Sequence, residues 1–182
     1  MVTSATHPAR VLAHHAAHHP TDPAIVSLGL VMTYGELADA VRRVAARLRS
    51  LGIRPGQVVG IRARPEWEAV LALAVLHEGA CSLHASDAVL AAYGDRLDHV
   101  VLDGIRPGTG RANDVGTAFL ETLGSVNAAI DPQPIAPDAA CRIVFSSGTT
   151  GTPKGVAFTL AMLLARTDAA HTNWMPAEPF FC

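Results

Sequence analysis

Apolar residues recur along this chain with two periods, and the switching between them lays out its elements. Leu37, Val41, Val44, Leu48 and Leu51 follow one another at steps of four and three, the spacing of a single helical stripe. Thr33-Tyr34-Gly35-Glu36 stands ahead of the stripe as a capping box, and Gly52 and Pro55 beyond it stop the helix. Residues Pro8 to His19 read as a shorter helix, and Ala24–Leu28 and Leu30–Thr33 as two strands about Gly29. The apolar centre of Gln57–Arg62 predicts a buried parallel strand. Pro65 suits the first turn of the next helix. Residues Glu66–His77 are apolar on nearly every face, which predicts a helix covered on both sides. Cys81–His84 and His99–Asp103 read as short strands around a helix over Asp87–Arg96, and Asp114–Leu123 predicts a weaker helix. Asp131-Pro132-Gln133-Pro134-Ile135-Ala136-Pro137 is a proline-rich connector. It leads to a strand over Arg142–Phe145, a second over Gly155–Thr159 and a final helix over Leu160–His171. Strands alternating with helices predict a layered α/β fold, a largely parallel sheet flanked by helices. Residues 1–130 form an α/β subregion in this reading, 131–140 the connector, and 141–182 a hairpin with its following helix.

Composition narrows the function classes. The 182 residues are 49% hydrophobic and 16% charged, with a net charge of −2, enough for a real core and without the basic excess that nucleic acid or an anionic membrane requires. The N-terminus lacks a basic region followed by an apolar core, and no apolar run reaches spanning length, so the expectation is a cytoplasmic protein without a membrane span. Cys81, Cys141 and Cys182 are odd in number and widely spaced, which indicates neither a disulfide framework nor a zinc site. Low charge, a mean hydropathy of +0.26 and the apolar end Phe180-Phe181-Cys182 suggest a piece of a larger protein. Its uncovered apolar face would meet the missing remainder or a second copy.

The chemistry concentrates in Ser146-Ser147-Gly148-Thr149-Thr150-Gly151-Thr152-Pro153-Lys154-Gly155, directly after the apolar run Ile143-Val144-Phe145. Hydroxyls and free backbone N–H groups donate hydrogen bonds, glycines let the backbone approach a ligand, and lysine adds a mobile charge. That combination suits a polyanion, most readily the phosphates of a nucleotide. The Walker A pattern fails here, because Lys154 follows Pro153 and precedes Gly155. A flexible Ser/Gly/Thr linker is the competing reading, but a linker has no use for a Pro-Lys-Gly end between two β-prone runs.

The segment Ile143–Val156 resembles the phosphate-loop signature of the adenylate-forming, or AMP-binding, superfamily, which contains acyl- and aryl-CoA synthetases, luciferases and nonribosomal peptide adenylation domains. Met32-Thr33-Tyr34-Gly35-Glu36-Leu37, Leu51–Ile61 and Ala74–Ala80 look like that family's N-terminal region in the right order. The resemblance runs from about Ala9 to Thr159 and implies the N-terminal portion of the family's large domain. It implies an ATP-dependent ligase that converts a carboxylic acid and ATP to acyl-adenylate and pyrophosphate, and then passes the acyl group to the thiol of CoA or a carrier protein. Lys154, Thr149 and Thr150 would act on the reacting phosphates. Ser146, Ser147, Gly148, Gly151, Thr152 and Gly155 would complete the cradle. The residues that bind Mg²⁺ and the ribose, the hinge and the second lysine of relatives match no position here, so the fragment is expected to be inactive alone. Relatives often carry a histidine where Leu160 stands and a proline-containing segment where Ser82-Leu83-His84-Ala85-Ser86 stands. A truncated, non-catalytic member acting as a binding module is the alternative, and an unrelated phosphate-binding domain a third.

Other features invite blander readings. His14/His18 and His15/His19 are i,i+4 pairs that suit zinc or nickel but lack an acidic or cysteine neighbour, so a surface helix is expected. Gly104–Gly110 fails the GxGxxG spacing and reads as a turn. His84 and His99 are candidate bases that more readily read as structural, and Trp67 and Trp174 as packing groups.

Overall fold

The computed structural model describes residues 7–27, 30–102, 114–115, 130–146 and 153–174. Helix α1 (Pro8–His18) starts at His7, whose Nδ1 accepts from the Ala9 backbone N–H at 3.0 Å. Strands β1 (Pro23–Ser27) and β2 (Leu30–Thr33) form a separate antiparallel hairpin. Thr33 then caps helix α2 (Tyr34–Ser50) as its sequence demands. The Glu36 carboxylate accepts from the Thr33 N–H at 2.8 Å, and the Thr33 hydroxyl accepts from the Glu36 N–H at 3.3 Å. Gly52 ends α2 at φ 92°, a left-handed conformation that glycine adopts without strain.

The main sheet has six strands in the order β6-β5-β3-β4-β7-β8. They are β3 (Val58–Arg62), β4 (Cys81–His84), β5 (His99–Leu102), β6 (Asp114–Val115), β7 (Ala140–Ser146) and β8 (Lys154–Thr159). All pairings are parallel except β7 with β8. Helix α3 (Pro65–His77) joins β3 to β4, and α4 (Asp87–Tyr93) with a 3₁₀ turn (Gly94–Arg96) joins β4 to β5. Helix α5 (Leu160–Trp174) follows β8 directly.

Strand alternation sorts the core into two layers. Val59 and Ile61 of β3 bury against Val41, Val44 and Leu48 of α2 and against Val70, Leu71, Ala74 and Val75 of α3. Val58 faces the other way, into a cluster with Leu83, Ala85, Val89, Leu90, Tyr93 and Leu97 around α4. Helix α3 lies between α2 and the sheet, which is why its apolar residues run round most of its surface. Trp67 packs against this core, as expected.

A buried carboxylate beside this core is answered internally. Glu78, 1% exposed, receives Arg49 in a fork at 2.7 and 2.9 Å, and the His77 ring contacts it at 3.0 Å. Arg49 also donates to the Asp131 carbonyl, tying the connector to α2.

Two expectations are corrected. The helix predicted from Asp114 is not formed at its start: Asp114 and Val115 pair in parallel with Val100 and Val101 at the sheet edge, where ladder hydrogen bonds outweigh a weak local helical preference. The remainder of that prediction, and the turn read at Gly104–Gly110, lie outside the described residues. The helix read over Asp87–Arg96 stays α-helical only to Tyr93 and then tightens into the 3₁₀ turn. Cys81 and Cys141 are buried free thiols, with burial pushing Cys81 up to about 11. Among the described residues no helix is long and apolar enough to cross a membrane.

Candidate phosphate-loop site

The loop leaves the carboxyl end of β7. Because β7 runs parallel to β4, and β4 to β3, Ser146 stands on the same sheet edge as His84 and Arg62. Ligands of parallel α/β sheets bind in the crevice outside this edge. The chain returns as β8, antiparallel, with Lys154 the register partner of Ser146. The two ends of the motif are thus clamped opposite each other, and the Ser146 hydroxyl reaches the Lys154 carbonyl at 3.5 Å. Both side chains are exposed. Ser147, Gly148, Thr149, Thr150, Gly151 and Thr152, the heart of the expected cradle, lie outside the described residues.

Gly155 has a different basis from the one the loop pattern suggests. It sits inside β8 with no left-handed φ, and a Cβ there would fall 2.9 Å from Phe145 Cε1 and 3.1 Å from Ile143 Cγ2. Side chains of the partner strand occupy the space beside it.

A cavity of about 440 Å³ opens at this edge, lined by His84, Ser86, Val89, Arg142, Phe145, Ser146 and Pro153 among others. Tyr93, from the end of α4, donates its hydroxyl to the Pro153 carbonyl at 2.6 Å and rests its ring near Phe145, with centroids 5.4 Å apart. One aromatic side chain therefore holds both limbs of the loop. Beneath it, Glu68 of α3 accepts from Arg142 Nη2 at 3.2 Å and contacts His84 Nδ1 at 3.0 Å, while Arg142 Nη1 donates to the Ser82 hydroxyl at 3.2 Å. Arg62, at the end of β3, pairs with Asp87 at the start of α4.

Sequence reasoning missed Tyr93, Glu68 and Arg142. A signal for two of them was present: Arg142 interrupts Cys141–Phe145, and Glu68 is a charge within the largely apolar α3. Charged residues in such places need a partner. His84 belongs to this network. His99, by contrast, contacts Gln57 Oε1 at 3.2 Å on the far side of β3, and burial lowers its pKa. Of the histidine pairs read at the N-terminal helix, His18 Nδ1 contacts the His14 carbonyl at 2.8 Å and His19 Nδ1 meets a single carboxylate, Asp22, at 3.3 Å. Among the described residues, no three His, Cys, Asp or Glu side chains converge as a metal site.

Comparison with known proteins bears on the family and the fold. The profile of the family described as AMP-binding enzyme matches residues 12–101 and 92–182. The chain is 36% identical over 162 residues to the phosphinothricin tripeptide synthetase PhsC of Streptomyces viridochromogenes, covering 80% of this chain and 15% of that protein. It superimposes on O-succinylbenzoate coenzyme A synthetase MenE from Bacillus subtilis, in complex with AMP, with a TM-score of 0.74 at 19% identity, covering 91% of this chain and 46% of the other. It also superimposes on NpsA-ThdA, an artificially fused adenylation–PCP di-domain from Klebsiella oxytoca, with a TM-score of 0.72 at 21% identity, covering 87% of this chain and 34% of the other. The chain spans less than half of each of these relatives. A parallel sheet that launches a Ser/Gly/Thr loop from its carboxyl edge and recovers it at Lys154, with the family pattern matched over nearly all residues, makes this chain the N-terminal portion of an adenylate-forming domain of the AMP-binding enzyme family.

Proposed function

We propose that this chain supplies the phosphate-loop half of an ATP-dependent acid-adenylating ligase, whose second step delivers the acyl group to a carrier-protein thiol. The observation that carries the reading is the clamped loop at the crevice, with Ser146 opposite Lys154 and Pro153 held by Tyr93. In the reaction a carboxylate oxygen of the acid attacks the α-phosphorus of ATP. The bond from that phosphorus to the bridging oxygen breaks, and pyrophosphate leaves with the electron pair. Negative charge grows on the leaving group, so donors preorganised toward it stabilise the transition state. Ser146 and the loop hydroxyls Ser147, Thr149, Thr150 and Thr152 are the donors in this reading, and Lys154 the electrostatic partner. Among the described residues, no three His, Cys, Asp or Glu side chains converge to hold Mg²⁺.

A carrier protein as acceptor, rather than CoA, is favoured by the 36% identity to a peptide synthetase and by a solved relative fused to a PCP.

The test is isotopic ATP–pyrophosphate exchange by a protein carrying this chain within a complete adenylating domain, across amino, aryl and fatty acids. Lys154→Ala is expected to lower exchange by about 10²–10³ if it contributes as one well-placed donor does. Unchanged exchange removes Lys154 from the mechanism. Absence of exchange with every acid favours the non-catalytic binding module instead.

A further inference from the structure

Arg142 and His84 lie on adjacent strands and on one side of the sheet. Ser82 is the register partner of Arg142 and Leu83 that of Ile143, so alternation puts Ser82, His84, Arg142 and Val144 on a common face. Glu68 of α3 organises them. Its Oε1 accepts from Arg142 at 3.2 Å, its Oε2 meets His84 Nδ1 at 3.0 Å, and Ser82 takes a second Arg142 nitrogen at 3.2 Å. Both Glu68 oxygens are thereby turned to these partners. A guanidinium has more N–H donors than these bonds use. Arg142 and His84, unlike Glu68, line the cavity at the mouth of the loop, together with Ser146 and Pro153. An arginine braced by a carboxylate and a hydroxyl has already lost its rotamer freedom, so little ordering remains when a ligand arrives. Its planar fork recognises oxyanions directionally, which the flexible point charge of Lys154 cannot do.

We propose that Arg142 is a second oxyanion contact of this crevice, taking an oxygen of the diphosphate, with Glu68 and Ser82 as its positioning residues and His84 beside it. This rests on the phosphate-loop reading and adds to it a contact from the floor of the sheet. The same fork suits a carboxylate, but the diphosphate is favoured because the cavity's polar wall includes Ser146, the first residue of the loop.

The experiment titrates the chain with inorganic pyrophosphate and, separately, with benzoate, while the arginine Nε–H signals are followed by ¹⁵N NMR. The Arg142 signal is identified by its loss in Arg142→Met. Pyrophosphate is expected to shift that signal, and Arg142→Met to weaken pyrophosphate binding by about tenfold or more, the loss of one charge-assisted hydrogen bond. Arg142→Lys keeps the charge without the fork and is expected to weaken binding as well; it serves if the Met variant fails to fold. Glu68→Gln is expected to weaken binding less and to broaden the Arg142 signal, because the fork loses its brace. If pyrophosphate binds and Lys154→Ala weakens it, yet the Arg142 signal stays still and both Arg142 variants bind as tightly as the parent, the inference is overturned and the loop reading stands. If benzoate shifts the signal and pyrophosphate does not, the assignment to diphosphate is overturned. If pyrophosphate does not bind the parent chain at millimolar concentration, the loop reading fails, and this inference fails with it.

Discussion

Gly155→Ala is the substitution that most directly tests how the loop is held. The added Cβ would lie 2.9 Å from Phe145 Cε1, 3.1 Å from Ile143 Cγ2 and 3.2 Å from Phe145 Cζ. A ring carbon at that distance must move. Phe145 has little room, because its backbone is the register partner of Gly155 and its ring lies 5.4 Å from that of Tyr93. Overpacking of this kind costs about 1–3 kcal/mol. Alanine restricts the unfolded chain and returns about 0.4–1 kcal/mol, since the glycine φ here is not left-handed. The net expectation is a loss of about 1–2 kcal/mol, read as a lower urea midpoint at unchanged slope. In a chain of this size that corresponds to a melting temperature about 2–8 °C lower. The cause is isolated by a cycle with Phe145→Leu, which removes the clashing ring carbons. In that background Gly155→Ala is expected to cost less, with a coupling of at least about 0.5 kcal/mol. A midpoint that stays put or rises in Gly155→Ala, or a cost identical in both backgrounds, would show that the strand glycine is not there to make room for Phe145.

Tyr93→Phe removes the hydroxyl that Pro153 accepts at 2.6 Å. It is expected to cost about 1 kcal/mol in denaturation and to raise proteolytic cleavage between Ser146 and Lys154, with no such cleavage increase in Tyr93→Phe disproving the clamp. Arg49→Met leaves buried Glu78 without its fork and is expected to destabilise by about 3 kcal/mol, whereas a loss under 1 kcal/mol would show the pair to be dispensable. Burial pushes the Glu78 carboxyl up, but hydrogen bonds from His77 and Arg49 and the Arg49 charge outweigh it, so the folded-state pKa is held below 4.5. The unfolded state therefore binds more protons, and this stabilisation, present above pH 4.5, is lost as pH falls through the folded value. Midpoints measured from pH 6 down to pH 3 are expected to fall more steeply in the parent than in Glu78→Gln, and parallel curves would contradict this.

Much of the fold was legible because it is written in local chemistry. The Thr33–Glu36 box, the stripe from Leu37 to Leu51 and the stop at Gly52 specify α2 within one stretch of chain, and the structure reproduces each. Pro65 and the all-round apolar character of the following residues likewise specified a helix sandwiched between neighbours. The reading failed at Asp114, where a two-residue strand exists only because β5 is there to pair with it. An isolated dipeptide carries no period, so nothing local distinguishes it from the start of a helix.

The sequence offers the candidate site as a motif but does not reveal its supports, and the reason is sequence distance. Tyr93 and Pro153 are 60 residues apart, as are Ser82 and Arg142, and Glu68 and Arg142 are 74 apart. No periodicity connects such pairs; they meet because β7 is inserted beside β4 after the chain has already built β5 and β6 on the other side of β3. That order of assembly has a consequence for how the loop works. Its outgoing limb is fixed to β4 and α3 through Arg142, and its returning limb to α4 through Tyr93, so both ends are anchored to elements formed before it in the chain.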